Sequence, residues 1–255
     1  RVEIKRKDEN GATLLNWEVS YNSRYGQPGR LAYKIDTIVI NREIEEVDRP
    51  VPKLIKLGSL RDIAARVNAG VKNTHTVKRA LLQNASAFIT AKLTYRTVDR
   101  SERHLEAAFS RYSVVFTGDS LPDGRRADAV YLVMNDIYQE VLNHAITRPL
   151  DYDYLQGLSP SEQRFYEIIS YQIFPALRYN NRARLVYSEY CALSTQVRYY
   201  DFDHVKKQMY KVHRAHFRSG YLESVEYEVT VDSDGNPDWI MLYTPGSKAR
   251  NEQLA

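Results

Sequence analysis

Residues 201 to 220, "DFDHVKKQMYKVHRAHFRSG", restrict the fold more than any other stretch of this chain. They carry five lysines and arginines and no acid after Asp203. At 3.6 residues per turn each residue advances about 100° around a helix axis. With Lys207 set at zero, Lys211, Arg214 and Arg218 fall within about 40° of it, while Val205, Met209 and Val212 fall within about 40° of the opposite side. Lys206 stands at the margin of the basic side. The segment is therefore predicted to be a helix with one apolar face for a core and one uniformly cationic face. Asp201 and Asp203 come at its start, where they offer N-cap oxygens and suit the positive end of the helix dipole. A face that is merely solvated usually mixes signs, because like charges at i,i+4 repel by about 0.2–0.5 kcal/mol per pair.

The charge distribution sharpens the point. A net charge of +4 over 255 residues is too small to identify a polyanionic partner. Residues 1–150 hold 24 basic and 18 acidic side chains, and residues 151–255 hold 12 and 14. Yet residues 178–218 carry nine basic against three acidic groups, and residues 219–240 carry six acidic and no basic ones. Charge is sorted along the chain, as a polar binding face requires. The single cysteine, Cys191, leaves no partner for an internal disulfide or a cysteine-cluster zinc site, and it suits a reducing cytoplasm. It reads as buried packing. No apolar run approaches the roughly 18 residues of a membrane span, so no membrane partner is expected. The chain opens on Arg1 without a signal-peptide pattern, which points to a cytoplasmic protein trimmed from a longer one.

The order of elements carries the fold. "LLNWEVS" and "LAYKIDTIVI" have the aromatic and β-branched content of strands, joined by the turn-rich "YNSRYGQPGR". Next, Leu60, Ile63, Ala64 and Val67 repeat at helical spacing, "NAGVKN" interrupts, and Val77, Leu81, Ala85 and Phe88 start a second helical stripe that Asn73 or Thr74 can cap. "AKLTYR" and "FSRYSVVFTGD" follow as strands, and "LPDGRRAD" turns into a third, "AVYLVM". Residues 147–160, "TRPLDYDYLQGLSP", have two prolines and no clean period and read as a linker. After it Ser159, Pro160 and Glu162 form a capping-box pattern before a stripe of Phe165, Ile168, Ile169 and Ile173. "ARLVYS" is a short strand, "SEYCALS" a short helix, and the basic helix comes next. In "YLESVEYEVTV", Val225, Tyr227, Val229 and Val231 share one strand face, and "DSDGNP" turns the chain back into "DWIMLYT". The expected fold is α+β: two winged-helix domains in tandem, each a helix-turn-helix plus a β-hairpin. The first spans 1–146 with extra N-terminal strands, and the second spans 161–255.

In a helix-turn-helix the second helix enters the major groove, where arginine and lysine pair with guanine edges or phosphates. Lys206, Lys207, Lys211, Arg214 and Arg218 are thus candidate DNA contacts. The corresponding helix of the first repeat presents His75, Arg79, Gln83, Ser86 and Thr90 opposite its apolar stripe, with Lys78 at the margin. That set suits base edges or plain surface equally. Its wing, placed at "RTVDRSERH", offers Arg96, Arg100 and Arg103 to phosphates. The second wing, with Asp232, Asp234 and Asp238, would repel a DNA backbone unless it points away or meets a protein.

The stretch "YLVMNDIYQEVLNHAITRPLDYDYLQGLSPSEQRFYEIISYQIF" resembles the junction in bacterial plasmid replication initiator proteins. There a strand and short helix lead through a Pro-Leu-Asp linker into a helix with an Arg-hydrophobic-Tyr motif, here Arg164, Phe165 and Tyr166. The resemblance extends from about residue 31 onward. It implies two winged-helix domains on repeated origin sequences, double-stranded DNA as the partner, recruitment of host initiator and helicase proteins, and action as a dimer in some members. It implies no chemistry and no cofactor. The residues agree: there is no phosphate loop, and "PGSKAR" lacks its spacing. His213 and His216, separated by Arg214 and Ala215, do not form the His-hydrophobe-His pair of a tyrosine nicking site. His216 reads as a hydrogen-bonded core residue rather than a metal ligand, and "DYD" and "DFD" read as helix starts. A transcriptional regulator or a protein-interaction module on the same fold remain the alternatives.

Overall fold

The computed structural model describes residues 2–7, 13–145 and 150–254; for residues 2–7, 13–15, Arg96 and Leu254 it describes the backbone alone. The chain divides into two compact units, 1–149 and 150–255. In the first, β1 (Val2–Lys7) and β2 (Thr13–Ser20) lead through a loop into α1 (Arg30–Ile35), which continues as a π-helical turn at Asp36–Ile40 and then as α2 (Asn41–Glu46). β3 (Leu54–Gly58), α3 (Leu60–Arg66) and α4 (Thr74–Ala85) follow. Two hairpins come next, β4 (Phe88–Arg96) with β5 (Glu102–Ser110) and β6 (Tyr112–Val115) with β7 (Val130–Met134), before α5 (Asp136–His144).

The second unit holds α6 (Tyr152–Gln156), α7 (Pro160–Arg178), β8 (Ala183–Val186), α8 (Tyr187–Ser194), α9 (Phe202–Arg218), β9 (Leu222–Val231), β10 (Pro237–Pro245) and α10 (Ser247–Leu254). Its antiparallel sheet has the order β8-β10-β9, and the first unit contains a sheet of the same plan, β3-β7-β6. In both, a strand precedes two helices and pairs with the second strand of the following hairpin. The protein is α+β, with two winged-helix domains in tandem. Among the described residues no helix is long and apolar enough to cross a membrane.

Three local expectations from the sequence are corrected. "LAYKIDTIVI" is helix, not strand: it supplies α1 and the π-helical turn, and so provides the leading helix that α7 provides in the second unit. Thr37, Ile38, Val39 and Ile40 are all buried, so the run has no polar face to reveal its period, and its β-branched residues mimic a strand. The helical stripe of α4 ends at Ala85; Phe88 and Thr90 lie on β4, and Asn73 spends its amide on the Ala69 carbonyl (2.5 Å) instead of capping. Finally, "RTVDRSERH" is the turn of the β4–β5 hairpin, which belongs to a separate four-stranded sheet, β1-β2-β4-β5. That hairpin is inserted between α4 and β6. The wing equivalent to β9–β10 is β6–β7, with residues 116–129 as its loop.

Capping follows the sequence where short side chains precede helices. Ser59 and Asp62 form a reciprocal box at α3, Asp151 accepts from the Tyr154 N–H at α6 (2.8 Å), and the Ser159 N–H donates to Glu162 Oε2 at α7 (2.8 Å). α7 is the spine of the second core: Phe165, Tyr166, Ile169 and Ile173 are fully buried, and Ile168 is partly so. Full burial of one such side chain stabilises by about 1.5–3 kcal/mol.

The end of α9 is tied to the start of α10 by close backbone approach. Gly220 turns the chain at φ +71°, the Lys248 N–H donates to its carbonyl (3.0 Å), and a Cβ built on Gly246 would lie 2.1 Å from that same oxygen. Gly246→Ala is expected to destabilise the protein by at least about 1–3 kcal/mol; a denaturation midpoint equal to that of the parent would contradict this packing.

Candidate nucleic-acid interface

The rotation of α9 about its axis is fixed by what its inner face touches. Val205, Met209, Val212, His213 and His216 are buried. The Phe165 ring of α7 sits 5.0 Å from the ring centres of both His213 and His216. His216 Nε2 donates to the Glu162 carbonyl (3.2 Å), which leaves Nδ1 to accept from the Tyr154 hydroxyl (2.8 Å). His213 Nε2 donates to Tyr243 Oη (2.9 Å), whose own proton points to Met241 Sδ. The expected role of His216 as a core histidine holds. Asp201 caps the helix by accepting from the His204 N–H (3.1 Å).

With that face anchored, Lys207, Lys211, Arg214 and Arg218 are all exposed, and no carboxylate among the described residues pairs with any of them. Lys206 is exposed but engaged: Asp203 lies 3.5 Å away, and its ammonium sits over the Phe202 ring at 4.7 Å. The four cations therefore form one open face along α9.

Several other basic side chains of this unit are used internally. Arg164 donates twice to the Leu193 carbonyl at the end of α8 (3.1 and 2.8 Å) and pairs with Glu167. Tyr166 donates to Glu252 of α10 and accepts from the Asp151 N–H. The Arg-Phe-Tyr motif thus ties α7 to α8, α9 and α10. Arg198, between α8 and α9, bonds Asp232 (2.6 Å) and the Pro237 carbonyl (3.1 Å) and lies over Tyr200.

This changes the picture of an acidic second wing. Asp232 is held by Arg198, and Asp238 is buried, accepting from the Ser188 hydroxyl and N–H. Glu226 pairs with Arg182 (2.5 Å) and Glu223 lies 3.7 Å from Arg250. Asp234 and Glu228 stay exposed. The outer half of the wing instead bares Val229 and Val231 at 84% and 65% exposure, because the strand face that packs Tyr227 against Phe202 runs past the end of the core.

In the first unit His75, Lys78 and Arg79 are exposed on α4, with Lys78 over the Phe116 ring at 4.4 Å. Gln83 is not on the open face: its amide donates to the Tyr25 and Gln27 carbonyls (2.9 and 3.2 Å) and holds the loop before α1. Arg100 is exposed in the β4–β5 turn at φ +67°, and Arg103 pairs with Glu140 of α5 (2.8 Å). The Arg96 side chain lies outside the described residues. On the β6–β7 wing, Arg125 pairs with Asp123 (2.7 Å), while Arg126 is exposed and has no ion pair among the described residues. Arg126 was missed because "LPDGRRAD" read only as a turn; its double arginine at a hairpin tip was the available signal.

No family model matches the chain, and no curated protein matches it. Among solved structures, the crystal structure of the Pi initiator protein in complex with iteron DNA has a similar fold, with a TM-score of 0.51 at 11% identity. The match covers 91% of this chain and 98% of that one.

The buried histidines give the second unit a pH dependence. Burial pushes His213 down to about 3 and His216 down to about 4, the latter against the opposing pull of the Glu162 carbonyl. Below about pH 6.5 the unfolded chain takes up protons that the folded one refuses, so stability falls as pH drops from about 6.5 toward 4, by about 1.4 kcal/mol per pH unit per histidine. The melting temperature is expected to fall across that window, and His213→Phe to flatten the fall. A melting temperature that stays level between pH 7 and pH 4.5 would contradict neutral, buried rings.

Proposed function

We propose that this protein binds double-stranded DNA in a sequence-specific way and initiates plasmid replication at repeated origin sites. The observation that carries the reading is the open face of Lys207, Lys211, Arg214 and Arg218 on the second helix of a helix-turn-helix. Such a helix enters the major groove, and these side chains reach guanine edges and phosphates from there. Lys206 adds charge at the margin. In the first domain His75, Lys78 and Arg79 read a neighbouring site, with Arg100 and Arg126 beside the backbone; Gln83 and Arg103, held within the fold, contribute less.

The likeness to an initiator crystallised with iteron DNA supports the origin-binding part, since it runs over nearly the whole of both chains. Host initiator and helicase proteins are the partners that this role brings, and self-association accompanies it. The protein marks or melts DNA by binding alone. A regulator on the same fold would occupy a lone promoter site, so binding to a library of genomic fragments separates the readings: repeated copies of one sequence point to an origin.

Each phosphate contact contributes close to one unit to the slope of log affinity against log salt. Lys211→Ala is expected to weaken binding and lower that slope by about one. An unchanged slope removes Lys211 from the phosphate contacts, and no duplex binding at low salt removes the DNA reading.

A further inference from the structure

Tyr210 stands in the middle of α9 and is 63% exposed. Residues three and four apart are neighbours on a helix surface, so Tyr210 has Lys206 and Lys207 on one side and Arg214 on the other, with Lys211 next in sequence. Single exposed aromatics are ordinary on a protein surface. Two observations set this one apart.

First, several exposed rings of this unit are covered: Arg178 lies over Tyr179 at 5.9 Å, Arg198 over Tyr200 at 4.9 Å and Lys206 over Phe202 at 4.7 Å, while Tyr199 stacks on His204 at 5.5 Å. Tyr210, with more cations in reach, has none over it among the described residues. Second, its hydroxyl has no hydrogen-bond partner there, and no other ring packs on it. Phe202, the other exposed large apolar side chain of α9, is stacked on Trp239 and edge-on to Tyr227. Tyr210 is thus an open apolar surface on the flank of the cationic face, between Lys206 and the other four cations.

The lysines and arginines of that face bond guanine edges and phosphates, but a charged head gains nothing from the C5-methyl of thymine, which projects into the major groove and is read by apolar contact. We propose that Tyr210 is a specificity-determining residue that packs its ring on the methyl group of one thymine in the bound site. The inference rests on the DNA-binding reading above.

Replacing thymine by deoxyuridine removes only the methyl group. On a duplex taken from the fragment library, each thymine is replaced in turn, and affinities are measured for the parent, Tyr210→Phe and Tyr210→Ala. Tyr210 is mostly exposed and makes no hydrogen bond or ring contact among the described residues, so both variants are expected to melt close to the parent. The expected result is one position at which the parent and Tyr210→Phe lose about fourfold, the worth of one buried methyl group. Tyr210→Ala should bind the thymine duplex about fourfold more weakly and be indifferent to deoxyuridine at that position. The inference is overturned if no replacement weakens the parent, if Tyr210→Ala binds like the parent, or if it keeps the parent's sensitivity. Any of these in a protein that binds duplex tightly leaves the DNA reading standing; a parent that binds no duplex sinks that reading first.

Discussion

The seating of Phe165 against the two histidines of α9 sets the direction in which the second domain faces. A helix bearing valine, methionine and histidine on one side could rock by tens of degrees on a purely aliphatic bed. Here one aromatic ring sits 5.0 Å from both imidazoles, and each imidazole is bonded at a ring nitrogen to a different element, Glu162 of α7 or Tyr243 of β10. A rotation that kept the apolar contacts would break these bonds in a buried setting, where an unmade bond costs about 1–3 kcal/mol. The open cationic face is the outer consequence of that inner constraint.

The same domain shows how charge is allocated. Arg182 and Arg198 lie in the basic segment of residues 178–218 but are spent on Glu226 and on the wing acids, as Arg164 before it is spent on a helix end. Arginine suits these tasks because its fork can meet a carbonyl and a carboxylate together. Four of the cations that remain unpaired are aligned on one face of α9. The first domain repeats the plan with a different allocation: α4 bares a smaller polar set, and an inserted hairpin builds a second sheet over its own small core of Ile89, Ala91 and Phe109, against which Tyr138 of α5 packs.

Much of the second domain was legible in the sequence, because α7 and α9 each have one wet and one dry side and short polar caps. The basic face of α9 was read directly from its spacing. The leading helix of the first domain was not, since a run buried on nearly every side has no polar positions to betray its period. Nor was the first wing: a hairpin after a helix-turn-helix looks alike in sequence whether it belongs to the winged-helix sheet or to an insertion, and only pairing tells them apart. Gln83, Asp232 and Asp238 share a third reason. Each polar side chain looks like surface until its partner, distant in sequence, is known: Tyr25 for Gln83, Arg198 for Asp232 and Ser188 for Asp238.

The central claim is that the outward face of α9 lies against DNA, and lysine reactivity tests it most directly. Acetylation rates of individual lysines, measured with and without saturating duplex, are expected to drop severalfold at Lys207 and Lys211 while Lys248, bound to Asp151 beneath α10, keeps its rate. If Lys207 and Lys211 react as fast in the complex as in the free protein, the cationic face is not the DNA-binding surface.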